Sequence, residues 1–504
     1  MNINNIIKGI DCRAFINGQA ATTGQLEGYD ITALSFDSRK VTEGTLFVAQ
    51  KGVHVDGHLF IPKAIETGAR AILCEELPEQ QPVGVLFLVV DNSDIALGIA
   101  ASNFYGQPSQ KLKLIGITGT NGKTTTVTLL YNLFRELGYR AGLISTIVDC
   151  VDDETTPATH TTPDAITLNS LMARMVEKGC QYCFMEVSSH AVVQNRIAGL
   201  HFAGAIFSNI THDHLDFHKT MANYIAAKKA FFDQLPREAF ALTNIDDKNG
   251  TVMVQNCQAH RYTYSLQTMA DFRTKIVESS IHGQHLEWHS NADGKSSNSE
   301  LWTPLVGRFN AYNITAIAAT AMLCGIAPDE ALRVASKLHA APGRFQYLHG
   351  KGITAIVDYA HTPDALQNVI DTIRQVRKAS QNIITVVGCG GDRDPLKRPI
   401  MARIASEGSD HLILTSDNPR TEDPNAILDA MEAGLSPEER SNAVRIVDRR
   451  QAIKTATLMA REGDIILVAG KGHETYQEIN GVRHHFDDVE ELNKLLNPTP
   501  DADK

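Results

Sequence analysis

The run GITGTNGKTTT, Gly116 to Thr126, carries the strongest chemical signal in the chain. A glycine-rich turn can ring phosphate oxygens with backbone N–H groups, and the N-terminus of a following helix adds its dipole. Gly119, Thr120, Asn121 and Gly122 would form the turn. Lys123 would reach terminal phosphates, and Thr124, followed by Thr125, would offer a hydroxyl to Mg²⁺. The apolar strand KLKLIGIT before it and the helical TTTVTLLYNLFRELG after it supply the context such a loop requires. One departure is visible: the general pattern G-x-x-x-x-G-K-[ST] would place Gly where Ile117 stands.

Three further segments hold metal-type donors. The strand CFMEV ends on Glu186, and a carboxylate at a strand's carboxyl end beside a phosphate loop can hold Mg²⁺ directly or through water. An ordinary strand-end glutamate is the competing reading. SNITHDHLDFH, Ser208 to His218, is dense in His and Asp. If helical, it sets His212 with Asp216, and His214 with His218, at i, i+4, where a transition metal with a hydrolytic role could bind. MANYIAAKKAFFD carries Lys228 and Lys229, which by themselves read as helix-surface lysines. Cys180 and Cys183 have C-x-x-C spacing, but the absence of a second pair and the strand-like CQYCFMEV make them packing residues.

These residues must be positioned by more than one core, since 504 residues exceed what a single domain usually holds. Three α/β segments are expected, 1–110, 111–340 and 341–504. The first contains FDSRKVTEGTLFVAQKG, the helix-like HLFIPKAIETGA and the strand RAILCE, and leaves through a linker, GQPSQ. Strand–loop–helix recurs in the second, which predicts a mainly parallel sheet ending near NAYNITAIAATAMLCG and the break AAPGR. The third alternates ITAIVDY, NIITVVG, HLILTS and DIILVAG with polar turns, the pattern of a doubly wound domain with ligands at the strands' carboxyl ends. HSNADGKSSNSE and the tail NPTPDADK read as solvated polar segments.

Composition narrows the function classes. Hydrophobic residues make up 43% and charged residues 21%, an ordinary globular balance. A net charge of −11 argues against general nucleic-acid binding. No apolar run reaches a membrane span, and MNINNIIKGIDCRAF lacks the features of a signal peptide, so a cytoplasmic protein is expected. Eight cysteines in so long a chain are no disulfide framework.

Four turns of the third segment, VDYAHTPD, GCGGDRD, DNPRTEDP and AGKGHE, each follow a strand and should meet at one sheet edge. GCGGDRD is not a dinucleotide fingerprint, because Arg393 stands where the third glycine belongs.

With these turns on the page, T-G-T-N-G-K-T resembles the phosphate loop of the Mur ligase family, which also includes folylpolyglutamate synthetases. The missing first glycine is that family's own pattern, and the resemblance spans nearly the whole chain. It implies an N-terminal UDP-binding α/β domain, a central ATPase domain and a C-terminal Rossmann-like domain, which close together around ATP and acceptor. It implies that Asn310 and Asn313 serve the adenine, that Arg344 reaches the phosphates, and that His214 ligates a second Mg²⁺. It further implies that Lys228, in the context Y-x-x-A-K, is carbamylated by CO₂ and so becomes an anionic Mg²⁺ donor.

The four acceptor turns are similar to those of the members that add the third peptide residue. Arg393, Asp417, Asn418, Pro419, Arg420, Gly470 and Glu474 fall on their amino-acid contacts. A planar guanidinium binds a carboxylate bidentately, so Arg420 would select the far carboxylate of meso-diaminopimelate and Glu474 would hold the distant ammonium. Lysine-adding relatives lack this arginine. At the nucleotide-sugar end the resemblance assigns Phe36 and Ser38 in FDSRKV, Thr161 and Thr162 in HTTPD, and Ser188, Gln194 and Arg196 in VSSHAVVQNR. His54 in GVHVDG is a further candidate, whereas His160 replaces an Asn of some relatives and is not assigned.

The implied activity is ATP-dependent amide formation through an acyl phosphate, joining meso-diaminopimelate to the D-Glu γ-carboxylate of UDP-N-acetylmuramoyl-L-Ala-D-Glu in peptidoglycan precursor synthesis. The enzyme would be a monomer without nucleic-acid or membrane partners. The rivals are a folate-extending ligase, a nucleotide-driven switch without ligation, and a metal hydrolase built on HDHLDFH.

Overall fold

The computed structural model describes residues 1–52, 55–294 and 296–497. His54 and the tail from 498 onward therefore lie outside the described residues. Three large sheets and one two-stranded hairpin sheet organise the described residues.

The first sheet runs in the order Gln19–Ala20, Arg13–Ile16, Leu86–Val89, Ala69–Cys74, Thr45–Val48, Ala33–Ser35. Its last four strands are parallel. LFLV and TLFV are buried along their whole length, as strands covered on both faces must be. The exit GQPSQ is not a loose linker. Pro108–Gln110 forms a single 3₁₀ turn, and buried Ser109 accepts a hydrogen bond from the His201 amide at 3.0 Å, so the segment is tied to the next domain.

The second sheet has eleven strands. Seven run parallel, from Ala141–Ile144 through Tyr182–Glu186, Lys113–Thr118, Gly204–Phe207, Phe240–Asn244 and His260–Ser265 to Phe272–Ser280. Antiparallel ribbons extend it at both ends. Lys113–Thr118 lies inside this parallel set, so the loop after it opens among several strand ends. The helix Lys123–Glu136 then buries Val127, Leu130 and Phe134, spaced i, i+3, i+7, against the sheet. HSNADGKSSNSE departs from the expected solvated loop. Its two ends belong to the paired strands Gly283–Ser290 and Ser297–Thr303. Period-two alternation buries Leu286, Trp288 and Leu301 on one face, and this overrides the weak strand preference of Ser and Asn.

The third sheet runs in the order Gln346–Gly350, Ile353–Asp358, Ile465–Ala469, Ile383–Val387, His411–Leu414, Ala443–Arg445, parallel except for its first strand. Helices Pro363–Val376 and Lys397–Gly408 pack on one face, and Arg449–Met459 and Asp488–Leu496 on the other. This is the expected doubly wound domain. No described helix is long and apolar enough to cross a membrane.

Candidate active site

The carboxyl ends of the second and third sheets face one cavity of about 760 Å³. On one side it is lined by the turn Thr120 to Thr125, and on the other by side chains of all four acceptor turns.

The phosphate turn is held by residues of the neighbouring strand end. Asn209 accepts from the Thr120 amide through its carbonyl at 2.8 Å and from the Asn121 amide through its side chain at 2.9 Å. Ser208 donates to the Asn121 carbonyl at 2.7 Å. Gly119 has φ 154° and Gly122 φ 88°, and a methyl group on Gly119 would collide with the Ser208 hydroxyl. In the sequence Ser208 and Asn209 stand out only as neighbours of the histidines. Their position, directly after the strand paired with Lys113–Thr118, is the signal that could have marked them.

Lys123 Nζ donates to the carbonyls of Gly119 and Thr120 at 3.0 and 2.8 Å. Burial pushes its ammonium down, against the pull of Glu186 and Asp213. Lys228 is not a surface lysine: it is 1% exposed, and its Nζ donates to the same Gly119 carbonyl at 2.7 Å. Burial, followed by the nearby Lys123, holds Lys228 well below the usual lysine range. Lys229 is the ordinary member of the pair and bonds Asp233 at 2.6 Å. Glu186 is fully buried. Its Oε1 accepts from the Thr146 amide and hydroxyl at 2.7 and 3.0 Å, and its Oε2 has no hydrogen-bond partner among the described residues.

The histidine segment is helical only over Leu215–His218. His212 stands outside that helix, so the expected i, i+4 spacing from His212 to Asp216 does not form. His214 caps the helix at φ 53° and lines the cavity with His212, whereas His218 is buried and bonds Ser189 at 2.8 Å. Asp213 lies beside His214 at 3.4 Å. Burial would raise the Asp213 carboxyl, but His214, His361 and Lys123 together hold it below its usual range. Cys180 and Cys183 are buried, and burial pushes both thiols up.

Arg344 crosses between domains. Its Nη2 donates to Thr124 Oγ1 at 3.2 Å, and its guanidinium lies 4.6 Å from the centroid of the Tyr359 ring. Asn121 donates to Asp364 at 2.8 Å across the same seam. Next to Arg344, Gly343 (φ 66°) packs on the backbone of Gly472 and His473. Asp358 accepts from the Phe345 amide at 2.6 Å, and burial pushes its carboxyl up to about 6 despite Arg344. Burial also keeps two histidines of the seam neutral, His361 down to about 4 and His473 to about 3. Asn313 lines the cavity, while Asn310, buried behind it, accepts from Asn313 at 3.1 Å.

Of the acceptor residues, Arg393, Asp417, Asn418, Arg420, Gly470 and Glu474 line the cavity, and Pro419 does not. Arg420, at φ 52°, donates through Nη1 to the Gly391 carbonyl at 2.6 Å. Its backbone is pinned on both sides by the hairpin Tyr476–Ile479/Val482–His485: its amide donates to Glu478 at 3.0 Å, and its carbonyl accepts from Asn480 at 2.7 Å.

At the other end, Thr161 and Ser188 reach the cavity. Thr162, Gln194 and Arg196 stand outside its lining. Thr162 donates to the Glu186 carbonyl at 2.8 Å, and Arg196 donates to the Thr162 carbonyl at 2.7 Å. Phe36 and Ser38 lie on the first domain, away from this cavity, with Phe36 exposed.

Comparison with known proteins agrees with this layout. Residues 30–105 match the family model described as Mur ligase family, catalytic domain, residues 117–321 the Mur ligase middle domain, and residues 343–472 the Mur ligase, glutamate ligase domain. The chain is 56% identical to the UDP-N-acetylmuramoyl-L-alanyl-D-glutamate–2,6-diaminopimelate ligase of Cytophaga hutchinsonii, covering 93% of this chain and 95% of that one. It is 52% identical to the ligase of the same name from Bacteroides fragilis, covering 93% and 96%. A solved structure of a ligase of that name superposes with a TM-score of 0.68 at 33% identity, covering 95% of this chain and 97% of that one. The chain therefore belongs to the Mur ligase family.

Proposed function

We propose that the protein is an ATP-dependent amide ligase that adds meso-diaminopimelate to the γ-carboxylate of D-Glu in UDP-N-acetylmuramoyl-L-Ala-D-Glu, a step of peptidoglycan precursor synthesis. The observation that carries this reading is that the phosphate loop and the acceptor turns open onto one cavity.

A free carboxylate acylates poorly because its leaving group would be oxide. Transfer of the ATP γ-phosphoryl group gives an acyl phosphate, whose leaving group is phosphate. The amine of diaminopimelate then attacks the acyl carbon, the tetrahedral intermediate collapses to the amide, and ADP and phosphate leave. Residues 119–125 cradle the phosphates, and Lys123 moves from its two loop carbonyls to the transferring group. Arg344 reaches the same phosphates from the other domain. Asn313, backed by Asn310, holds the adenine. Phe36 and Ser38 take the UDP, while Thr161, Thr162, Ser188, Gln194 and Arg196 hold the sugar–peptide. Arg393 and the Asp417–Arg420 turn fix the acceptor's carboxylates, and Gly470 and Glu474 its far amine.

The donors Thr124, Glu186, His214 and Lys228 suit Mg²⁺. Glu186 keeps a buried oxygen without a hydrogen-bond partner among the described residues, and oxygen is the hard donor this ion takes. When bound, Mg²⁺ neutralises charge on the transferring phosphoryl group. Lys228 fits a carbamate formed from CO₂, because attack on CO₂ needs the neutral amine that its burial favours. The modification replaces an ammonium crowded against Lys123 with an anionic oxygen donor. The reading carries with it a cytoplasmic monomer built from units 1–110, 111–340 and 341–504.

The test is phosphate release by the purified chain with ATP, Mg²⁺ and UDP-N-acetylmuramoyl-L-Ala-D-Glu, with meso-diaminopimelate or L-lysine in parallel. Release and a new amide with diaminopimelate alone are expected. Turnover with lysine instead would remove the role given to Arg420, and turnover with neither would sink the reading.

A further inference from the structure

Beneath the acceptor turns lies a cation that does not line the cavity. Lys471, in AGKGHE, has a fully covered side chain. Its Nζ donates to Asn418 Oδ1 and to Glu474 Oε2, both at 3.1 Å, and lies 5.5 Å from the centroid of the Tyr476 ring. Asn418 donates to the same Glu474 Oε2 at 2.7 Å. Oε2 is thus held twice from below, while Glu474 Oε1 takes no hydrogen bond from any described residue and Glu474 lines the cavity.

The need for such a cation follows from the surroundings. Asp417 is buried next to Glu474, with its Oδ2 packed over Gly470. Burial, then Asp417, raise the Glu474 carboxyl, and Lys471 with Asn418 opposes them. The other groups facing Glu474 are the phenols Tyr359 and Tyr476 and, deeper, the guanidinium of Arg449. Arg449 is committed elsewhere: it pairs with Asp488 through two contacts of 2.8 Å and donates to the Ala469 carbonyl at 3.0 Å. Lys471 is therefore the cation in direct contact with the carboxylate.

We propose that Lys471 is a positioning residue for the acceptor amino acid: its ammonium holds Glu474 ionised and turned to the cavity, so the anion is in place before the acceptor's ammonium arrives. This rests on the ligase reading in naming Glu474 as the ammonium's partner. A hydrogen bond to a charged group contributes enough that its loss should raise the KM for diaminopimelate about 10–100-fold. kcat and the KM values for ATP and the UDP-dipeptide should change little. A protonated Glu474 cannot attract an ammonium, so the KM for diaminopimelate rises on acidification. In Lys471→Met that rise begins at a higher pH than in the wild type.

The experiment uses the full chain labelled with ¹³C at the glutamate δ-carbon, with Glu474→Gln assigning the signal. The Glu474 titration is expected to move up in Lys471→Met, and an unmoved titration overturns the proposal whatever the acceptor is. If that single variant does not fold, Lys471→Met in a Glu474→Gln background leaves no lone buried charge. The KM for diaminopimelate of that double variant should equal that of Glu474→Gln, and a further rise would overturn the proposal. A wild-type chain that ignores diaminopimelate while the titration still moves would fail the ligase reading and leave the role of Lys471 standing.

Discussion

Arg420 donates to the Gly391 carbonyl, and its backbone is locked by Glu478 and Asn480. A guanidinium fixed in this way can discriminate sharply, because a lysine acceptor would leave it without a carboxylate. Arg420→Ala should lower kcat/KM for diaminopimelate by roughly 10²–10³-fold and leave lysine almost unaffected, as competition between the two acceptors would measure. Lys228→Ala should cost at least about 10²-fold in turnover, by analogy with loss of a charge-stabilising group at the reacting centre. The fold should survive, because the cavity left by the lysine stem is offset by removal of a buried amine crowded by Lys123. Thermal melting would check the second point, and partial recovery of turnover by a short carboxylate anion would support the carbamate. Without the resemblance, Lys228 reads no better than a surface lysine, since burial depends on which helix face meets the loop.

The elements themselves were largely readable. KLKLIGIT, CFMEV, ITAIVDY, NIITVVG, HLILTS and DIILVAG are apolar runs of strand length, and all became strands near their expected bounds. The ribbon Gly283–Ser290/Ser297–Thr303 was not readable, because its polar Ser and Asn positions take strand geometry from cross-strand partners distant in sequence. Lys471, Ser208 and Asn209 escaped for a related reason: their roles come from contacts between neighbouring strand ends. Asp358 closes the strand Ile353–Asp358 and holds the Phe345 amide, so it fixes the backbone next to Arg344, whose side chain crosses to Thr124. Its carboxyl is raised from 3.8 to about 6, so the folded chain binds a proton there that the unfolded chain releases. Stability from this group is therefore present below about pH 4 and is lost as pH rises through 6. Asp358→Asn should gain on the wild type by on the order of 2 kcal/mol between pH 4 and 7, visible as converging and then crossing melting temperatures.

At the scale of the molecule, the second and third domains already touch through Arg344 on Thr124 and Asn121 on Asp364. Asp364→Ala should loosen that arrangement, and small-angle scattering of the ligand-free chain should report a larger radius of gyration than the wild type. Adding an unreactive ATP analogue with the UDP-dipeptide should compact both, since the substrates join the same two surfaces. The sequence foretold three units and a shared site, but their mutual placement rests on a few polar contacts at loop ends, which leave no periodic trace. Gly343 gives this placement a further meaning. It adjoins Arg344, and its backbone lies against Gly472 and His473 with no room for a methyl group. The residue next to Arg344 and the turn that presents Glu474 thus share one backbone contact, a keystone between the phosphate side and the acceptor side of the cavity.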